Sequence, residues 1–130
     1  MSDDSFVCSI VYFYDLKFVG KPTLRKLKHV KIVKDGHDVV MTCEAESGWP
    51  LPRISWWKNG LLVRDGDFYE SFTLDRPANN TLTMRIFGTE GYHHGTYTCR
   101  AENMFGASVQ EVNTMVKRKQ TVVLDLKFLL

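Results

Sequence analysis

The chain has 130 residues, enough for one domain of ordinary size. Apolar residues make up 44% and charged residues 25%, which is typical of globular proteins and excludes a disordered or fibrous chain. The formal net charge of +2 is too small to indicate nucleic-acid binding, and no apolar run approaches the ~20 residues of a membrane-spanning helix.

The chain opens with an acidic tetrapeptide and an apolar run over residues 6–14, which contains Cys8. The run has the length of a signal-peptide core, but a signal begins with basic residues and ends in a small-residue cleavage site. We therefore predict an N-terminal extension over residues 1–28, hydrophobic and then basic. A targeting signal, or a boundary inherited from a longer protein, stays open as an alternative.

Short alternations of apolar and polar residues follow, broken by turn residues, which indicates β-strands. The pattern predicts strands at 29–33, 37–45, 53–58, 61–63, 68–73, 81–86, 96–101 and 107–116. Asn59-Gly60 predicts a tight hairpin, and Pro50 and Pro52 predict a connection rather than a central strand. About eight strands at spacings of about 8–12 residues, with no long amphipathic helix between them, predict a two-sheet sandwich.

Several motifs stand at defined spacings: Cys43, Trp56, Leu82 and the run Gly95-Thr96-Tyr97-Thr98-Cys99, together with Gly48-x-Pro50-x-Pro52-x-Ile54-x-Trp56, Lys58-x-Gly60 and Cys99-Arg100-Ala101-Glu102-Asn103-x-x-Gly106. Together these motifs resemble the immunoglobulin fold in its I-set form. The resemblance implies an all-β, immunoglobulin-like, two-sheet antiparallel sandwich over residues 29–117, followed by a tail over 118–130.

The same resemblance implies roles for the residues of the core. Cys43 and Cys99 would form a bridge between the sheets, contributing roughly 4 kcal/mol in the chain-entropy account, and Cys8 would be a spare thiol. Trp56 and Leu82 would pack beside the bridge, and Tyr97 would form a tyrosine corner.

One position departs from the family pattern. His93 stands where the family usually has Asp, so the corner must be held in another way. We expect the pair His93-His94 to be exposed corner histidines, because no further ligand stands at metal-binding spacing.

No catalytic, cofactor-binding or metal-binding motif is present in the sequence. It lacks C-x-x-C, H-E-x-x-H, G-x-S-x-G, a P-loop and a dinucleotide-binding glycine loop. We therefore predict a non-enzymatic protein without a cofactor or metal.

Asn79-Asn80-Thr81 is an N-glycosylation sequon in a predicted turn. With the paired cysteines it favours an extracellular setting, either secreted or at the cell surface. The I-set domains of muscle filament proteins keep such cysteines reduced in the cytoplasm, so a sarcomeric location stays open.

Charge is distributed unevenly along the chain. Residues 17–34 contain seven basic and no acidic residues, whereas residues 35–116 contain six basic and eleven acidic ones. A candidate patch for heparan sulfate or an acidic partner comprises Lys26, Lys28, Lys31, Lys34, Lys117, Arg118 and Lys119. The lead strand and the last strand of this fold run parallel, so Lys34 and Lys117 should end at the same pole. The plainer interpretation is solubility, or charges that guard an edge strand.

Three large apolar side chains form the candidate interface: Trp57, predicted to face outward, and Met104 and Phe105 in the last turn. The alternative for Trp57 is packing beneath a neighbouring strand or the N-terminal extension. We expect a protein-recognition module whose partner is a cell-surface receptor, an adhesion molecule or a matrix component. The alternatives are a structural module of a muscle filament protein and a heparan-sulfate-binding signalling domain.

Overall fold

The computed structural model describes residues 19–118. Within this range the strands are β1 (Gly20–Leu24), β2 (Val30–Lys34), β3 (Val39–Trp49), β4 (Arg53–Lys58), β5 (Leu61–Leu62), β6 (Phe72–Ala78), β7 (Thr81–Ile86), β8 (Gly95–Asn103) and β9 (Gly106–Lys117). A short helical turn, α1 (Asp67–Glu70), precedes β6, and a 3-10 turn (Gly91–His93) precedes β8. Cys8 and Lys119 lie outside the described residues.

The strands form two sheets, in the orders β1-β3-β7-β6 and β2-β9-β8-β4-β5. Neighbours are antiparallel except for β2 and β9, which run parallel from Val30 opposite Asn113 to Lys34 opposite Lys117. The predicted sandwich is confirmed, and so is the parallel pairing of the lead strand with the last strand.

Period-2 alternation explains which side chains fill the space between the sheets. On β3 the alternate residues Val39, Met41, Cys43 and Ala45 are buried, while Val40 and Thr42 face solvent. The same alternation on β7 and β4 buries Leu82, Met84, Ile86, Ile54 and Trp56. Each strand therefore gives one apolar face to a shared core.

The predicted hairpin at Asn59-Gly60 joins β4 to β5. Both residues have positive φ, 48° and 83°, which the turn requires. The Asn59 side chain also accepts a hydrogen bond from the backbone N–H of Thr96, 2.9 Å away, and so ties the hairpin to β8.

The sandwich begins with β1, before residue 29, the boundary predicted from the sequence. β1 pairs with β3, with Leu24 opposite Ala45, and buries Leu24 and Pro22 in the core. Gly48 allows this close approach, because a Cβ there would lie 2.5 Å from the Cα of Pro22. The short alternation of β1 is inconspicuous in the sequence because basic residues surround it.

The strand predicted at 68–73 is also displaced. Phe68, Tyr69 and Glu70 have φ of 54°, 57° and 62°, so they form a left-handed turn, and β6 starts only at Phe72. The strand continues through Pro77 to Ala78. Since β6 is the edge of its sheet, a proline there costs no hydrogen bond to a further strand.

Candidate functional site: the pinned core, the corner and the exposed faces

A disulfide joins Cys43 on β3 to Cys99 on β8, so the predicted bridge is confirmed. The two Cα atoms are 6.3 Å apart, and both residues are fully buried. Because the two strands belong to opposite sheets and the cysteines are 56 positions apart, the bridge restricts the unfolded chain and also holds the sheets together.

Trp56 lies opposite Cys99 in the β4–β8 pair and has no exposed surface. Its indole Nε1 donates a hydrogen bond to the carbonyl oxygen of Leu82, 3.1 Å away. Leu82 on β7 pairs with Cys43 on the neighbouring strand β3, and both lie in the sheet that faces Trp56. The structure therefore brings the three predicted elements of the core together in one buried layer.

Tyr97 forms the predicted tyrosine corner. Its hydroxyl donates to the carbonyl oxygen of His93 at 2.7 Å, and the whole side chain is buried. Burial raises the pKa of Tyr97, so the phenol stays protonated and available as a donor.

His93 is fully buried, so the expectation that both corner histidines are exposed is wrong for this one; His94 is exposed. The Nδ1 atom of His93 accepts from the backbone N–H of Glu90 at 2.8 Å, and Nε2 lies 2.8 Å from the hydroxyl of Ser71. That hydroxyl donates to the carbonyl oxygen of Phe68, so Nε2 carries the proton that His93 gives to Ser71.

The hydrogen bonds of His93 require a neutral imidazole, because a protonated Nδ1 has no lone pair for Glu90. Burial lowers the pKa of His93, and the ammonium of Lys58 lowers it further, while the Glu90 carboxylate acts in the opposite direction. A neutral histidine with two hydrogen bonds thus replaces the carboxylate that the family pattern places here.

Lys58 lies beneath the same corner and is buried. Its Nζ is 5.3 Å from the ring centroid of Phe68 and 5.9 Å from that of Tyr97, within the range of cation–π attraction. Burial lowers the pKa of Lys58. The ion pairs within residues 19–118 join Arg25 to Glu44 and Arg100 to Glu102, so the aromatic rings take the place of an acidic partner for Lys58.

Trp57 faces outward from β4, the strand next to the edge strand β5 of the five-stranded sheet, and is half-buried. Its Nε1 donates to the Ser55 hydroxyl at 2.9 Å, which fixes the orientation of the indole. A groove of about 220 Å³ beside it is lined by Trp57, Gly60, Thr98, Arg100 and Val109. A rigid aromatic side chain next to an open groove is the usual form of an interface anchor.

Met104 and Phe105 form the turn between β8 and β9 and are 79% and 49% exposed. Trp57 pairs with Thr98, five residues before the end of β8 at Asn103, so about 17 Å of extended strand separates it from this turn. Trp57 is therefore not adjacent to Met104 and Phe105, and the candidate interface stays a prediction.

The outer face of the five-stranded sheet carries further apolar side chains that the sequence analysis did not select. Ile32 on β2 lies opposite Met115 on β9, and both are exposed. Leu62 lies opposite Trp57, and Val109 borders the Trp57 groove. The alternation of these strands was the available signal, since it places these residues on the face opposite to the core.

Most of the predicted basic patch lies at the surface: Lys26, Lys28, Lys31, Lys34, Lys117 and Arg118 are exposed. Lys34 and Lys117 lie opposite each other at the end of the β2–β9 pair, as expected from the parallel topology. Neither is in an ion pair with any residue of the described range.

These features define a class: a β-sandwich pinned by a disulfide and a tryptophan, with a tyrosine corner and an exposed sheet face. A family model for the immunoglobulin domain matches residues 21–103, more than half of the chain. The chain therefore belongs to the immunoglobulin domain family. Domains of this family commonly act as protein–protein interaction modules in adhesion and muscle proteins.

Relatives fall into two groups. Contactin-5 from Danio rerio is 32% identical over 86% of this chain, and hemicentin-1 from Mus musculus is 32% identical over 68% of it. Cardiac-type myosin-binding protein C from Mus musculus is 33% identical over 81%. The chain spans only 10%, 1% and 8% of the lengths of these three relatives.

Solved structures show the same fold. The Dscam1 Ig7 domain matches 75% of this chain and 97% of its own length, with a TM-score of 0.67 and 23% identity. An I-band fragment of titin matches 75% of this chain and 33% of its own length, with a TM-score of 0.67 and 21% identity.

No helix within residues 19–118 is long and apolar enough to cross a membrane. No group of three or more His, Cys, Asp or Glu side chains in that range is placed to hold a metal ion.

Proposed function

We propose that this chain is a non-catalytic, extracellular recognition module that binds another protein through the outer face of its five-stranded sheet. The observation that carries the proposal is Trp57, an aromatic side chain held in place by Ser55 on an open sheet face and bordered by a groove. An indole that is already ordered loses little conformational entropy on binding and buries a large apolar area.

The composition of this face supports the proposal. Apolar and polar side chains are mixed across the sheet: the apolar ones are Leu62, Val109, Met115 and Ile32, and the polar ones include Thr98 and Asn113. Mixed surfaces with an aromatic anchor and a polar surround are typical of non-obligate protein interfaces. The salt bridge between Arg100 and Glu102 lies on the same face and offers charges for orientation of a partner.

The extracellular assignment is supported by the buried disulfide, since such bridges persist in oxidising compartments. The similarity to contactin-5 and hemicentin-1 agrees with it.

The test is a differential capture on living cells. Wild-type chain, Trp57→Glu and the control Val40→Glu, whose side chain is exposed on the opposite sheet, carry a photo-crosslinker and are applied to the cell surface. We expect a partner captured by the wild type and by Val40→Glu and lost with Trp57→Glu. Equal capture by all three folded variants would contradict the proposal.

A second candidate function is that of a cytoplasmic module of a muscle filament protein. The similarity to cardiac-type myosin-binding protein C favours it. That protein is 33% identical to this chain, and contactin-5 is 32% identical. The redox state of the native protein separates the two candidates. An oxidised pair Cys43–Cys99 in native material supports the extracellular proposal, and a fully reduced chain bound to filaments supports the muscle one.

A third candidate is binding of heparan sulfate at the basic pole, favoured by the juxtaposition of Lys34 and Lys117. It predicts retention on heparin that falls when exposed Lys26, Lys28 and Lys31 are changed to Gln. Elution of this triple variant at the salt concentration of the wild type would contradict it.

A further inference from the structure

A second groove lies at one end of the sandwich, away from Trp57. It is formed where the end of β3, the β3–β4 connection and the β6–β7 turn meet, and its volume is about 450 Å³. Its lining includes Glu46, Trp49, Leu51 and Asn79. This volume falls within the ~300–1,000 Å³ of sites that hold small organic ligands.

Asn79 and Asn80 play different parts in the β6–β7 turn. The side-chain amide of Asn80 donates a hydrogen bond to the backbone carbonyl oxygen of Ala45 at 3.0 Å. The backbone carbonyl oxygen of Asn80 accepts one from the backbone N–H of Ala45 at 2.8 Å. These bonds fix the turn to β3. Asn79 is exposed, and its amide makes no hydrogen bond with any residue from 19 to 118. The turn is thus rigid while the Asn79 side chain projects from it.

Part of the groove wall is apolar and part is polar. Trp49 is 37% exposed and Leu51 is 45% exposed, on the groove that Asn79 also lines. The exposed parts of these two side chains give the groove apolar area, and burial of such area is stabilising. A pyranose ring suits this surface, since it has an apolar C–H face and a hydroxylated edge. The exposed carboxylate of Glu46, which also lines the groove, can accept hydrogen bonds from its hydroxyls.

We propose that Asn79 carries an N-linked glycan whose first N-acetylglucosamine lies in this groove against Trp49 and Leu51. The inference rests on the extracellular placement proposed above, because the transfer takes place in the secretory pathway. The Asn79 Nδ2 atom forms a bond to C1 of a lipid-diphosphate-linked oligosaccharide and loses one proton. The C1–O bond breaks, and the lipid diphosphate leaves with the electron pair.

The burial of Thr81 sets the order of glycosylation and folding. Thr81, the hydroxyl residue of the sequon, is buried, and its Oγ1 donates to Asn80 Oδ1 at 3.2 Å. That hydroxyl is accessible to a transferase only before the β6–β7 hairpin closes. Glycosylation therefore precedes folding, and the groove receives the sugar as the turn docks on β3.

The experiment uses the full chain directed into the secretory pathway of cultured cells. Intact-mass measurement before and after amidase treatment gives the occupancy, with Asn79→Gln as the unglycosylated variant and Asn80→Gln as a control that keeps the sequon. We expect a glycan on the wild type and on Asn80→Gln but not on Asn79→Gln. A secreted wild-type chain without a glycan would overturn the proposal.

The seating of the sugar is tested on protein trimmed to a single N-acetylglucosamine. We expect the sugar to raise the thermal midpoint of the wild type by about 4–8 °C, the shift given by one aromatic contact in a domain of this size. The gain should disappear in Trp49→Ala and persist in Leu61→Ala, a control whose exposed leucine lies on β5. An equal gain in both variants would contradict the seating.

A proton NMR signal tests the contact between the sugar and Trp49 directly, because the thermal midpoint can also rise for other reasons. The ring current of Trp49 should shift the N-acetyl methyl proton signal upfield, and this shift should vanish in Trp49→Ala. A methyl signal at the position of the free sugar would overturn the seating. None of these outcomes bears on capture through Trp57, so failure here and failure of the recognition proposal are distinguishable.

Discussion

The centre of the sandwich is held by a covalent bond and apolar packing, whereas the corner at His93 is held by hydrogen bonds between buried polar groups. At the centre, Trp56 packs on the Cys43–Cys99 bridge and needs only one hydrogen bond, to Leu82. At the corner, a neutral His93 must find a donor and an acceptor at once. The centre is therefore insensitive to pH, and the corner depends on one protonation state.

The largest effect should come from the centre. Trp56→Ala removes a fully buried indole and leaves a cavity, so we expect a loss of about 3–5 kcal/mol in the free energy of unfolding. Urea denaturation with an unchanged m-value measures it. The matched change Trp57→Ala, on the outer face, should cost far less. Similar losses for the two tryptophans would contradict the division between core and surface.

Removal of the bridge should come next. The double variant Cys43→Ala, Cys99→Ala is expected to lose about 2–4 kcal/mol, mainly because the unfolded chain regains freedom. Denaturation of this variant and of the wild type at pH 7 and pH 5 provides the measurement. The deficit should be the same at both pH values, and a deficit that changes with pH would show that the centre is coupled to the corner.

A smaller loss is expected at the tyrosine corner. Tyr97→Phe leaves the His93 carbonyl oxygen without its buried donor, which costs about 1–3 kcal/mol. Chemical denaturation at pH 7 measures this cost. An unchanged stability would mean that a water molecule replaces the phenol.

The smallest expected effect is the pH dependence of stability that His93 contributes. Since the pKa of His93 is lowered by folding, the unfolded chain binds more protons below the unperturbed value of about 6.5. The contribution of His93 is fully present above that pH and is lost as the pH falls toward the pKa of the folded state. The slope due to this residue reaches at most about 1.4 kcal/mol per pH unit.

Two glutamine variants separate this effect from other titrations. His93→Gln should flatten the decline in stability between pH 6.5 and pH 5, and His94→Gln, at the exposed neighbour, should leave it unchanged. The free energy of unfolding, measured by urea denaturation at each pH, decides between them. Parallel curves for the wild type and His93→Gln would contradict the role assigned to the buried imidazole.

The centre and the corner at His93 also differ in how far the sequence could predict them. The centre was predictable, because Cys43, Trp56 and Cys99 have characteristic spacing and alternation places them on inner faces. The burial of His93 was not, because a histidine pair in a turn suggests a surface, and its partner Ser71 lies 22 positions away. The separation of Trp57 from Met104 was not predictable for a related reason: alternation gives the face on which Trp57 lies but not its distance from the last turn.

The parallel pairing of β2 and β9 has a mechanical consequence. Tension applied between Val30 and Lys117 pulls the two strands in opposite directions along their axes, so all five residue pairs of this ladder are loaded together. A ladder loaded in this way must break several hydrogen bonds at once, whereas a hairpin pulled at its open end opens one bond at a time. The sandwich should therefore resist stretching along its length far better than its thermodynamic stability suggests.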